Sequence, residues 1–278
     1  MHEANPEETE PAAQAELARL PPREARRLFR EGRHTGPTAG IAPGHVQANL
    51  VVLSAGVADA FEAYCRANPK PCPLLERLTP GDPITRQLAG GADIRTDLPR
   101  YRVYRPDGTF EECLEVRGGW RDEDVAFLLG CSFSFEEALT RVGLVPRHVE
   151  EGVNVPMYRT SRETTPAEPF AGPLVVSMRP IPRERVEDAY EITRPFAWAH
   201  GEPVHHGDPA TLSITDLARP DWGEAVTIRE GEVPVFWACG VTSQTAVMNA
   251  LRSGAADRVI THAPGHMFIG DRRNTEFG

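Results

Sequence analysis

The sequence predicts an α/β fold, a larger α/β domain interrupted by a smaller α+β subdomain, and three observations lead there. Apolar runs of strand length recur at 46–53, 125–130, 174–179, 233–238 and 259–261. Helix-period stretches stand between several of them, the alternation expected of α/β proteins. The third observation is a change of texture at 149–220, where a polar, proline-containing passage carries its own strand and helix. These divide the chain into an acidic tail with short helices at 1–34, a main domain at 35–148 and 221–278, and an inserted subdomain at 149–220.

Taken in order, residues 1–10 are acidic and polar and predict disorder. Two short amphipathic helices follow between Pro11 and Arg33, split at Pro21-Pro22, with Leu17, Leu20, Leu28 and Phe29 as the apolar stripe. VQANLVVL at 46–53 reads as a strand, and a helix over about 57–67 stops at Pro69. The proline-dense passage 69–83 reads as an ordered loop or a wrapping arm. Between 101 and 116, two short extended runs flank Pro106-Asp107-Gly108, a hairpin signal.

The run at 125–130 ends in Cys131. Ser134 with Glu137 then forms a capping box that opens a helix ending at Gly143. Leu174–Arg179 and a helix over about 182–194 build the subdomain. VPVFWA at 233–238 leads through Cys239-Gly240 into a helix that Thr242 or Ser243 can cap, and a last strand delivers His262-Ala-Pro-Gly-His266. In a parallel sheet, Cys239 and His262 would sit past the carboxyl ends of neighbouring strands, where open α/β folds place ligands. LGCSFS at 129–134 parallels WACGVT at 237–242, which suggests a duplicated strand–turn–helix unit with two cysteine turns facing one cleft.

The net charge of −10, with no basic block, excludes a nucleic-acid-binding role. No apolar run approaches the roughly 18–20 residues that span a bilayer, and the acidic start argues against a secretory signal. Five cysteines without C-x-x-C spacing read as reduced thiols in a cytoplasmic protein. Lys70 is the only lysine, and its proline-fixed loop makes Schiff-base chemistry improbable. No Gly-rich nucleotide-binding pattern is present.

Cys131 and Cys239 both precede a helix, where amides and dipole lower a thiol pKa, so each is a candidate nucleophile or a small packing residue. The amides of the two turns suit a carboxylate or an oxyanion. His262 and His266, with His205, His206 and Asp208, could form an acid/base pair or a metal site; a divalent metal is not favoured and no cofactor is required. Arg179, Arg159, Tyr158 and Asn154 are candidates for holding a substrate carboxylate, with His206, Asp208, Ser134 and Thr242 as further binding groups.

The stretches GHVQANL at 44–50, NPKPCP at 68–73, DLPRYR at 97–102, GCSFSFEE at 130–137, NVPMYR at 154–159, VSMRP at 176–180, GDP at 207–209, FWACG at 236–240 and THAPGHMF at 261–268 together resemble the bacterial "putative hydro-lyase" family, the YcsI-like proteins. That family is similar to the amino-terminal domain of mitochondrial D-glutamate cyclase. The resemblance covers roughly residues 35–270. It implies a three-layer α/β domain with a smaller two-layer domain, and a lyase that eliminates water from a small carboxylate. Cyclisation of D-glutamate to 5-oxo-D-proline is the concrete reaction it implies. A non-catalytic protein that binds small amino or oxo acids, or a cysteine-dependent hydrolase, would use the same residues differently. A homo-oligomer is the expectation for such an enzyme.

Overall fold

The computed structural model describes residues 17 and 19–277. The disordered tail and most of the first amphipathic helix expected from the sequence lie outside the described residues. Helix α1 (Pro22–Arg30) starts with proline in its first turn, where the missing N–H has no helical partner to lose. Its buried face is Pro22, Ala25, Arg26 and Phe29. Leu28 is only half-buried, because Arg26 takes the inward position by bonding the Ile269 carbonyl at 2.7 Å and Asp271 at 2.8 Å. Arg30 binds the fully buried Asp97 through two contacts of 2.9 and 2.7 Å.

Strand β1 (His45–Ser54) runs directly into α2 (Ala55–Ala67). The passage expected as loop after Pro69 contains a short strand, β2 (Leu74–Arg77). It fits between Pro73 and Pro80 because an edge position needs only one side of the ladder. The hairpin forms as expected, with β3 (Tyr101–Tyr104) and β4 (Phe110–Cys113) around Asp107-Gly108. Then follow β5 (Asp124–Gly130), α3 (Phe133–Arg141) and α4 (Arg147–Glu151). Strands β6 (Met157–Glu163) and β7 (Pro173–Pro182) precede α5 (Val186–Thr193) and the two-residue β8 (His205–His206). The chain closes with β9 (Glu232–Ala238), α6 (Val241–Arg252), β10 (Val259–His262) and β11 (Phe268–Arg273). No helix among the described residues is long and apolar enough to cross a membrane.

The α/β class is as the sequence predicts, but the strand directions are not. A seven-stranded sheet in the order β2-β5-β1-β10-β3-β4, with β11 also on β1, is antiparallel at every pairing. A second sheet, β6-β7-β9-β8, is antiparallel too. Strand β9, expected beside β10 in a parallel sheet, pairs with β7 instead. Helix α6 therefore crosses from the smaller sheet to the larger one and packs on β7 and β10. An apolar run has the same look whether its neighbour is parallel or antiparallel, which is why periodicity did not reveal this.

Strand β1 is buried on both faces, in keeping with its mostly apolar run, which Gln47 and Asn49 interrupt. Val51 and Leu53 pack with α2 and α6, whereas Ala48, Leu50 and Val52 pack beneath the loops around Leu88 and Ile94. On the smaller sheet, Val233, Val235 and Trp237 meet Phe135 and Leu139 of α3 and Ala189 of α5.

The two sheets carry the same local unit. In the first, β1 and β5 pair from Ala48↔Gly130 to Ser54↔Asp124. In the second, β7 and β9 pair from Val176↔Ala238 to Pro182↔Glu232. Each register ends one residue before a cysteine. The Cys131 N–H donates to the Gln47 carbonyl at 3.1 Å, and the Cys239 N–H to the Val175 carbonyl at 3.0 Å. Three residues on, the Ser134 hydroxyl accepts from the Gln47 N–H at 2.9 Å, and the Thr242 hydroxyl from the Val175 N–H at 3.0 Å. These hydroxyls are thus claimed by strand backbone. Neither helix has a side-chain cap, and the capping box expected at Ser134 and Glu137 does not form.

Candidate functional site

Where the two units meet, the cysteine turns face one small cavity. Cys131, Ser132 and Phe133 line one side, and Cys239, Gly240 and Val241 the other. Asn49, His200, His262, Asn154 and Met267 also line it, beside Val155, Met157, Pro264 and Gly265. The space is about 20 Å³, room for roughly one water molecule, so a glutamate-sized acid enters only with local opening.

Asn49 joins the two turns. Its amide donates to the Gly130 carbonyl at 2.8 Å, and it lies so close to the opposite turn that a Cβ on Gly240 would fall 2.4 Å from it. A polar Asn49 inside an otherwise largely apolar strand is the signal in the sequence that marks it.

Both thiols are neutral at physiological pH. Burial pushes Cys131 up to about 12, against the opposing pull of the Phe133 amide, and pushes Cys239 up to about 11, against the amides of Val241 and Gly240. The helix-start amides do point at the sulfurs as expected, but loss of water outweighs them, so the expected lowering of the thiol pKa is overturned.

His262 is 1 % exposed and stands opposite Leu50, in the gap on β1 between the partners β10 and β11. Its ring fills the missing rung: Nδ1 is 3.1 Å from the Leu50 N–H and 3.3 Å from the Leu50 carbonyl. Nε2 lies 3.4 Å from the Gln244 amide. Burial brings His262 down to about 4, so the ring is neutral. His266 does not share this cavity. It lines an adjoining outer pocket of about 280 Å³ with Arg100, Arg102 and Trp222, its Nδ1 2.8 Å from the Pro264 carbonyl. Asn154 borders both spaces.

Arg179 is 1 % exposed and lies behind the turns, not in the cavity wall. Its guanidinium is held by Glu136 at 2.5 and 3.2 Å, Ser132 at 3.0 Å and Ser177 at 3.1 Å, between the rings of Phe135 and Trp237. An internal carboxylate already occupies the fork that the sequence reading reserved for substrate. Burial alone would raise the Glu136 carboxyl, yet His148 and Arg179 hold it down to about 2.

The remaining candidates lie elsewhere. Tyr158 is buried and donates to the Leu217 carbonyl at 2.7 Å, and the exposed Arg159 stacks over Trp222; both border an outer groove with Arg219 and Asp221. His206 meets the Tyr190 hydroxyl at the β8 edge, and Asp208 accepts from the Ala210 N–H. Ser134 and Thr242 are spent on backbone, as above. Among the described residues no group of three or more His, Cys, Asp or Glu is placed to hold a metal ion.

His200, absent from the sequence reading, lines the cavity at 1 % exposure. It follows a single tight turn (Ala197–Ala199) and adopts φ 80°. No periodicity marks it; only its fold neighbours do. The turn is pressed on Gly130, where an added Cβ would lie 1.8 Å from the Trp198 carbonyl oxygen.

Comparison with known proteins gives a consistent family. The D-glutamate cyclase family model matches residues 125–271. A "Putative hydro-lyase" of Bordetella pertussis is 57% identical over 252 residues, 91% of this chain and 90% of that protein. Proteins of the same description from Rubrobacter xylanophilus and Bacillus velezensis are 54% and 52% identical, covering 91% and 93% of this chain and 96% of each relative. Among solved structures, a nitrogen repressor-like protein from Methanococcus jannaschii overlays at 10% identity and a TM-score of 0.35, over 88% of this chain and 97% of that one.

Proposed function

This chain belongs to the D-glutamate cyclase family of bacterial hydro-lyase-like proteins, and from that membership we propose that it removes water from a small carboxylic acid, with D-glutamate cyclising to 5-oxo-D-proline as the reaction. The observation that supports the reading is the convergence of two helix-start turns, Asn49 and His262 on one buried cavity.

Cyclisation needs a holder for carboxylate oxygens, a group that handles the amine proton, and donors for the tetrahedral oxyanion. The amides after Cys131 and Cys239 and the Asn49 side chain suit the first and third, in a water-poor space where such donors act strongly. His262 handles protons. Arg179 positions the Ser132 turn from behind through its 3.0 Å bond and does not touch substrate. Neutral thiols at about 12 and 11 make poor nucleophiles, which argues against a cysteine-dependent hydrolase.

Incubation with D-glutamate, followed by chromatography for 5-oxoproline, tests the proposal. Wild type is expected to form product, Cys131→Ala and Cys239→Ala to keep the rate within about tenfold, and His262→Ala to lose about 10²-fold or more. Absence of turnover on a panel of amino, oxo and hydroxy acids, with one acid raising the melting temperature, would make this a binding protein instead.

A further inference from the structure

The cavity has space for about one water, but the outer pocket beside it, at about 280 Å³, has room for a small acid. The two spaces share Asn154 and Pro264, which therefore form the partition between them.

The charges in the outer pocket are unevenly paired. Arg100, just before β3, and Arg102, within it, both depend on Glu112 of β4. Arg100 Nη1 donates to Glu112 Oε2 at 3.1 Å, and Arg102 Nε donates to Oε1 at 2.9 Å. Two guanidiniums against one carboxylate leave a positive charge in excess. Arg100 is also under-satisfied: its Nη2 lies a long 3.4 Å from the Thr35 carbonyl, and its Nε, shut off from solvent, has no acceptor. Glu224, the other carboxylate of the pocket, comes from a different stretch of chain. It accepts from the Asn154 N–H at 2.9 Å and pairs with no cation among the described residues. His266 adds no charge, because burial, aided by the Arg100 guanidinium, lowers its pKa. An excess cation and an unpaired carboxylate thus border one space, the complement of a molecule that carries both an anion and an ammonium.

We propose that this pocket is where the acid is first held, and that it selects an amino acid through these two charges. Arg100 and Arg102 take a carboxylate with the N–H groups that Glu112 leaves free. Glu224 takes the ammonium, and Trp222 and Pro264 cover the methylenes. The Asn154 side chain makes no hydrogen bond to protein among the described residues. Standing at the partition, it is free to donate to a second carboxylate directed towards the cavity. A hydroxy or oxo acid of the same length satisfies the arginines and leaves Glu224 without a cation. The choice of D-glutamate as the acid rests on the reaction proposed above.

Titration of protein labelled with nitrogen-15 at tryptophan tests the site, the Trp222 indole signal being assigned from Trp222→Phe. D-Glutamate is expected to shift that signal and to bind at least about tenfold more tightly than 2-hydroxyglutarate or 2-oxoglutarate. Glu224→Gln keeps an acceptor for the Asn154 N–H and removes only the charge. It is expected to erase the preference while the two nitrogen-free acids bind as before or more tightly. Glu112→Gln releases the arginines and is expected to tighten the binding of all three acids, a gain that a merely structural role would not give. Equal affinity for the three acids in wild type, or an undiminished preference in Glu224→Gln, overturns the proposal. Product formed from D-glutamate while the Trp222 signal stays unmoved would sink the pocket and leave the reaction standing. A responding Trp222 with the amino-acid preference, in a protein that forms no product, would sink the reaction and leave the pocket standing.

Discussion

Glu136→Gln lowers the stability of the fold by about 3–5 kcal/mol, the cost of leaving a buried charge without its partner. The substitution keeps shape and removes only the anion facing the Arg179 guanidinium, whose other protein partners, Ser132 and Ser177, are neutral. The pair is sealed between Phe135 and Trp237, where water cannot substitute. The pH dependence follows from the sign of the shift. The folded carboxyl titrates at about 2, below its ordinary 4.5, so the folded state binds protons less readily than the unfolded chain. Wild type therefore holds this contribution, about 3 kcal/mol, above pH 4.5 and loses it as pH falls towards 2. Urea denaturation at several pH values reads both effects: a lowered midpoint at neutral pH in Glu136→Gln, and a gap between the two proteins that closes in acid. An unchanged midpoint at neutral pH would mean that Arg179 does not depend on Glu136.

Gly130→Ala damages fold and site together. The new Cβ would lie 1.8 Å from the Trp198 carbonyl oxygen, 2.8 Å from its carbon and 3.1 Å from the Ala199 Cα. All three are backbone atoms, so no side chain can swing away. The turn must move, at about 1–3 kcal/mol or more. What moves is the turn that carries His200 in the cavity wall, and a displacement of about 1 Å in a reaction site costs on the order of 10² in rate. Gly90→Ala is the control, since nothing lies within 4 Å of its added Cβ, and a stability change within about 0.5 kcal/mol is expected. Thermal denaturation and product formation, measured on both variants, check the contrast.

Much of the site was legible where local chemistry decides it. Cysteine, small turn and hydroxyl at matched spacing marked both halves of the cavity, and the structure repeats them down to equivalent hydrogen bonds. The same hydroxyls were misassigned as caps, because spacing cannot tell whether Ser134 bonds its own helix or the neighbouring strand. Arg179 stands out in the sequence as an arginine closing an apolar strand. Its partner Glu136 sits in another element, so a buried ion pair read as an open clamp. Strand direction was illegible for a related reason: β9 has the same apolar composition beside β7 as it would beside β10. His200 left no trace in periodicity, since its position depends on a contact between Trp198 and Gly130 that is distant in sequence.

The central claim is that the cavity between the two cysteine turns is where the acid binds and reacts. A crystal structure of the protein with 5-oxo-D-proline tests it most directly. The claim predicts the ligand carboxylate against the amides of Phe133 or Val241, with His200 and His262 both within hydrogen-bond distance and the small cavity widened around it. Ligand bound instead in the outer groove beside Arg159 and Arg219, with the cavity still closed, would contradict it.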